Sequence, residues 1–130
     1  MSWPDTIGLP EKYFNERHCI IDVRGPISIS SESAWGYYIT AITYSHEVEN
    51  GILSAGVDRP IIVEPRAWIC SCSVLYNCVI REGAVVAIGS VVRSCEVAPW
   101  TMVAGNPAKV IAKWYDGAWH YLEPKWRVLE

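Results

Sequence analysis

The chain lacks a long apolar run. Apolar residues make up 51% of its 130 residues, yet the longest unbroken stretch is Ala84–Ile88. A membrane-spanning helix needs about 20 such residues, so none is expected. A block of like charge is missing too, with 11 Lys and Arg scattered among 14 Asp and Glu for a net charge of −3. Nucleic acid therefore has no electrostatic footprint to meet. There is no C-x-x-C pair, and the five cysteines (Cys19, Cys70, Cys72, Cys78, Cys95) are odd in number. Residues 1–5 show neither the basic start nor the apolar stretch of a secretory signal. The expectation is a cytoplasmic, soluble, one-domain protein whose reduced thiols pack as small apolar residues. Cys70 and Cys72 have no histidine close in sequence to complete a soft-metal site, and no metal is expected. A chain of this length buries roughly two-thirds of its unfolded surface and needs no staples.

What is present is a repeat. Aliphatic residues recur at a spacing of six: Ile21, Ile27, Ile39, then Val63, Ile69, then Ile80, Val86, Val92. Four residues after them stand small ones, Gly25, Ser31, Thr43, Ala67, Ser73, Ala84 and Ser90; Ser33 and Tyr37 break the first set. A helix needs spacings of three and four, and an isolated strand only alternates. A period of six suits short strands joined by tight corners, three to a coil of about 18 residues, stacked through parallel ladders. An ordinary sandwich would instead carry hairpin dipeptides between its strands. Asn50-Gly51 is the one Asn-Gly pair in the repeat region.

The expected layout is an all-β coil over residues 20–106, an irregular cap over 1–19 and a loop thrown out at 45–60. Residues 107–130 are expected to open with a short helix begun by Pro107 and running to Lys113, followed by a Trp-rich tail. From Ile69 to Ile80 is eleven residues, so one face around Tyr76-Asn77-Cys78 is shorter by one. Trp114, Trp119 and Trp126 cluster after the repeat. Capping the coil's open edge is the favoured role, and a platform for a sugar ring is the alternative.

Two segments resemble a known family. Residues 83–92 (GAVVAIGSVV) and 97–111 (VAPWTMVAGNPAKVI) are similar to the C-terminal half of hexapeptide-repeat acetyltransferases, especially small sugar and polysaccharide O-acetyltransferases. Residues 39–47 (ITAITYSHE) resemble their catalytic stretch, and Ala67-Trp68-Ile69 one of their coils. The resemblance implies a left-handed parallel β-helix, a homotrimer with active sites between subunits, and acetyl-CoA as donor to a small acceptor such as a sugar. The hand comes from the resemblance alone, since crossover physics favours the right hand. His46 falls on the catalytic histidine, and Trp68 and Ser71 fall beside the acetyl and pantetheine portion. Ile88 falls on a backbone contact, Arg93 on a Thr-Lys pair shifted by one, and Lys109 near the cofactor phosphates. Cys70 and Arg81 replace glycines of the pattern.

The chemistry is consistent with that assignment. A sugar hydroxyl needs a base, and neutral imidazole is suited to take its proton. Glu47 is a candidate to orient His46. His18 and His120 lie outside the coils, so the three-histidine zinc pattern of gamma-type carbonic anhydrases is not matched. The competing class is a catalytically inactive trimeric scaffold or binding protein, because fold alone does not imply function.

Overall fold

The computed structural model describes residues 2–122. Short parallel strands wind into stacked coils, and each strand pairs with its counterpart one coil away. The first face holds β1 (Ile20–Ile21), β4 (Thr40–Ile42) and the leading halves of β9 (Val74–Ile80) and β11 (Val91–Val97). On the second lie β2 (Ile27–Ile29), β7 (Ile61–Val63) and the trailing halves of β9 and β11. The third is β3 (Ala34–Trp35), β8 (Trp68–Ile69), β10 (Val85–Val86) and β12 (Thr101–Gly105).

Ladder partners in the later coils lie 17 residues apart: Val63 faces Ile80, Ile69 faces Val86, and Leu75 faces Val92. The shortened face is thus a property of each later coil, since Val86 to Val97 is again eleven residues. Its corner residues, Asn77 and Ser94, both adopt left-handed backbone (φ 47° and 49°). Other corners turn in the same way, through Tyr38, Cys72 and Gly89 and through Arg66, Gly83 and Trp100. The Tyr38, Cys72 and Gly89 amides donate to Arg17, Tyr37 and Ser71 carbonyls at 2.9 Å, which offsets the cost of left-handed backbone in non-glycine residues.

Two columns fill the interior. Val63, Ile69, Leu75, Ile80, Val86, Val92, Val97 and Val103 form the large one, with Ala67, Ser73, Cys78, Ala84, Ser90 and Thr101 beside it; all are buried. Ser33, Ser73 and Ser90 donate their hydroxyls to the carbonyl three residues back at 2.6–2.8 Å, so burial leaves no polar atom unpaired among the described residues. The first coil departs from the expected phase. Its large column is Ile29, Trp35 and Ala41, because Ile29 faces Val63, Trp35 faces Ile69 and Ala41 faces Leu75. Ser33 is the small partner of Trp35, and exposed Ser31 and Tyr37 lie outside the columns. Of the cysteines, Cys19 and Cys78 are buried as expected, whereas Cys72 and Cys95 are exposed at or near corners.

The ends also differ from expectation. The N-terminal segment contains a helix, α1 (Glu11–Glu16), begun after Pro10 and stopped by left-handed His18. It drives Phe14 edge-on against Trp35 at 5.1 Å and plugs the open coil. Residues 45–60 are largely a hairpin, β5 (Tyr44–Glu49) with β6 (Ile52–Asp58), turned by Asn50-Gly51 with both φ positive. Among the described residues no helix follows Pro107. Residues Ala108–Tyr115 form β13, antiparallel to β12, and β14 (Ala118–Tyr121) returns against it. The unfilled edge of β12 offers a full ladder that a seven-residue helix cannot match. Asp116-Gly117, within the expected tail, is the turn signal for that second hairpin. Trp114 and Trp119 meet edge to face at 5.5 Å on it; Trp126 lies outside the described residues.

Ile69, wholly buried between Trp35 and Val86, tests this packing. Ile69→Ala is expected to cost about 2–5 kcal/mol by urea denaturation. Val48→Ala, on the exposed hairpin, should stay within about 0.5 kcal/mol.

Candidate active site

His46 stands on β5 opposite Gly56, with its ring exposed. Its Nδ1 lies 2.8 Å from the Ser54 carbonyl oxygen. A carbonyl only accepts, so Nδ1 carries the proton and donates, leaving the Nε2 lone pair free. The expected orienter, Glu47, is engaged elsewhere: its carboxylate pairs with Arg59, while its amide donates to Ser54 Oγ at 2.9 Å. Arg59 Nε also donates to the Tyr76 hydroxyl at 3.2 Å. A hydrogen bond from Ser45, with help from Arg59, holds the Tyr76 phenol below its ordinary pKa. The backbone carbonyl that replaces Glu47 is set by hairpin register, a signal absent from the local motif.

A groove of about 500 Å³ lies at the corner where the third face turns into the first. Trp68, Ser71 and Ile88 line it together, with Tyr37, Cys70 and Met102. Trp68 and Ile88 are 52% and 73% exposed, so their apolar surface is available to a ligand. Ser71 Oγ accepts the Tyr37 amide at 2.9 Å, which leaves its own hydroxyl proton to donate outward. Burial pushes the Cys70 thiol up, keeping it protonated at neutral pH. A mostly apolar wall carrying the Ser71 and Tyr37 hydroxyls suits an extended ligand arm better than a compact polar ligand.

Arg93 and Lys109 are exposed and do not line the groove. Arg93 projects from β11 on the first face opposite Tyr76, and Lys109 follows the β12–β13 turn at the end of the groove's own corner. Neither takes part in an ion pair among the described residues. Arg81, by contrast, bridges Glu64 and Glu96 at a different corner, next to Arg66 with Glu32 and Glu82. Its departure from the glycine pattern therefore falls outside the groove. The hairpin of His46 springs from yet another corner, between the first and second faces, and contributes no residue to the groove lining. Among the described residues no group of three or more His, Cys, Asp or Glu is placed to hold a metal.

No family model matches the chain. A Schizosaccharomyces pombe protein named "Putative acetyltransferase" is 28% identical over 106 residues, covering 79% of this chain and 51% of that one. Among solved structures, a maltose O-acetyltransferase from Clostridium difficile superposes with a TM-score of 0.68 at 22% identity, covering 75% of this chain and 54% of that one. A hexapeptide-repeat acetyltransferase from Vibrio cholerae, complexed with acetyl-CoA, superposes at 0.65 and 25% identity, covering 76% and 55%. The chain is similar in sequence and fold to hexapeptide-repeat acetyltransferases. It spans about half the length of the relatives it matches.

In this chain the hairpin is tied to the coil by Asp22. Its carboxylate takes the Arg24 fork at 2.8 and 3.0 Å, and the Arg24 and Thr43 amides at 3.1 Å each. Those donors, Arg24 first, hold its pKa at about 2, against about 3.9 unfolded. Because the folded value is the lower one, this stabilisation is complete above about pH 4 and is lost as pH falls toward 2. Asp22→Asn should therefore melt a few degrees below wild type at pH 7, and the two should converge near pH 2. A gap in melting temperature that does not change with pH would remove the charge as its source.

Proposed function

We propose that the chain is the subunit of a cytoplasmic, acetyl-CoA-dependent O-acetyltransferase acting on a hydroxyl of a sugar or related small molecule. Three copies, each coiled left-handed, associate so that the hairpin of one serves the groove of the next. The observation that carries this reading is the His46 tautomer, with Nδ1–H held by Ser54 and a basic Nε2 facing out. The exposed apolar groove at another corner supports the shared site, since one rigid coil offers base and groove in different directions.

Acetyl-CoA supplies the acetyl group as a thioester. His46 Nε2 takes the proton of the acceptor hydroxyl as its oxygen attacks the carbonyl, and returns a proton to the departing thiolate. The new ester bond replaces the broken thioester, so atoms and charge balance. Direct transfer is favoured because Cys70, the groove's own thiol, is kept neutral by burial and has no base beside it. Trp68, Ser71 and the Ile88 backbone hold the pantetheine arm. Lys109, at the end of that corner, and Arg93, at the far end of the first face, meet the phosphates; neither is in an ion pair among the described residues.

His46→Ala should lower acetyl transfer by about 10²–10⁴-fold while light scattering still gives a trimer mass. A fully active His46→Ala would reject the base. A monomeric wild type would reject the shared site, and no turnover on any acceptor would leave the scaffold reading. Separately, Lys109→Ala should weaken acetyl-CoA binding by calorimetry and flatten its salt dependence. Unchanged affinity in both the Lys109→Ala and Arg93→Ala proteins would move the phosphates elsewhere.

A further inference from the structure

We infer that Tyr44 is the positioning residue for the His46 imidazole, an inference that rests on His46 being the base. Tyr44 and His46 are two apart on β5 and share one face of the hairpin. Their rings meet edge to face, 5.6 Å between centroids at 89°. The Ser54 carbonyl holds Nδ1–H from the opposite strand. Hydrogen bond and ring edge together fix both the proton and the plane of the imidazole.

Tyr44 is itself clamped. On β6, Gly56 is bare where any side chain would collide: a Cβ there would lie 1.5 Å from the Tyr44 hydroxyl oxygen. The phenol thus lies across the strand, against backbone. The Arg24 guanidinium sits 4.8 Å from the ring centroid, a cation–π distance, and Asp22 holds that guanidinium in a fork. Asp22 also accepts the Thr43 amide, one residue before the hairpin. The path Asp22–Arg24–Tyr44–His46 therefore ties the base to the coil rather than to the hairpin's exposed tip at Val48, Ile52 and Leu53. A two-stranded hairpin is marginal alone, and a base carried on it needs such a tie, because small misplacements of a catalytic group cost rate heavily.

The test is nitrogen-15 NMR of His46 beside steady-state kinetics on the full chain. Wild type should show one neutral tautomer, protonated at Nδ1. In Tyr44→Leu the tautomers should mix and kcat should fall about 10–100-fold, with KM for acetyl-CoA within about twofold. Tyr44→Phe, which keeps the ring, should recover most of both signals. Gly56→Ala, which displaces the phenol from the other side, should reproduce the loss, and adding it to Tyr44→Leu should cost little more. Tyr44→Leu with an unmixed tautomer, or with mixed tautomers and an undiminished kcat, overturns the inference. Should wild type acetylate nothing, the tautomer signal alone decides whether Tyr44 holds the ring. An active His46→Ala would instead mark failure of the base assignment.

Discussion

Parallel pairing of each strand with its counterpart one coil away is the constraint on which the rest of this structure depends. It brings Val63 under Ile80, Ile69 under Val86 and Leu75 under Val92, so every inward position faces another at ladder spacing. In the later coils one column of the interior takes large side chains and the other mostly small ones, where serines must return their hydroxyls to local carbonyls. A ladder of this kind has two open ends, each a row of unpaired backbone groups. At one end α1 sets Phe14 on Trp35, and Ile7 bridges to Ile29. At the other, β13 and β14 reverse direction and continue the third face antiparallel. Reversal closes the series, because an antiparallel strand presents the wrong ladder for another coil.

Where the columns are built of ordinary aliphatics, from Val63 to Val92, their spacing shows them directly in the sequence. The first coil hides its register because Trp35 and Ala41 occupy the large column, and neither resembles the valines above. Trp35 fits only because the cap beneath it is aromatic and Ser33 Oγ accepts its indole N–H at 3.0 Å. The segment after Pro107 misleads for a different reason. Local chemistry permits a helix there, but a free ladder edge next door outweighs weak local preference. Asp116-Gly117 carried the contrary signal.

The site divides along the same line. Trp68, Ser71 and Ile88 gather in one groove because Ser71 and Ile88 are equivalent corner positions on successive coils, 17 residues apart, and Trp68 stands exposed on β8 just before that corner. What orients His46 was not legible. Glu47 is its neighbour in sequence, but adjacent residues on a strand point to opposite faces, and Glu47 turns to Arg59. The groups that do reach the imidazole, the Ser54 carbonyl and the Tyr44 ring, depend on hairpin register and on a bare Gly56 across the strand.

The hairpin also shows how such a coil can carry chemistry without disturbing itself. Across the coils that flank it the ladder interval is 34 residues, from Ile29 to Val63, from Trp35 to Ile69 and from Ala41 to Leu75. That is twice the 17 of the later coils, yet pairing resumes without slippage. An insertion at a corner leaves every inward position in place, since the ladder on either side fixes where the strands must rejoin. Hairpin length and sequence are then free to vary without disturbing the coil, provided the root at Asp22 and Thr43 is kept. On the proposed reading, the groove stays with the invariant coil geometry and the base rides on the adjustable arm. The two meet only when copies associate.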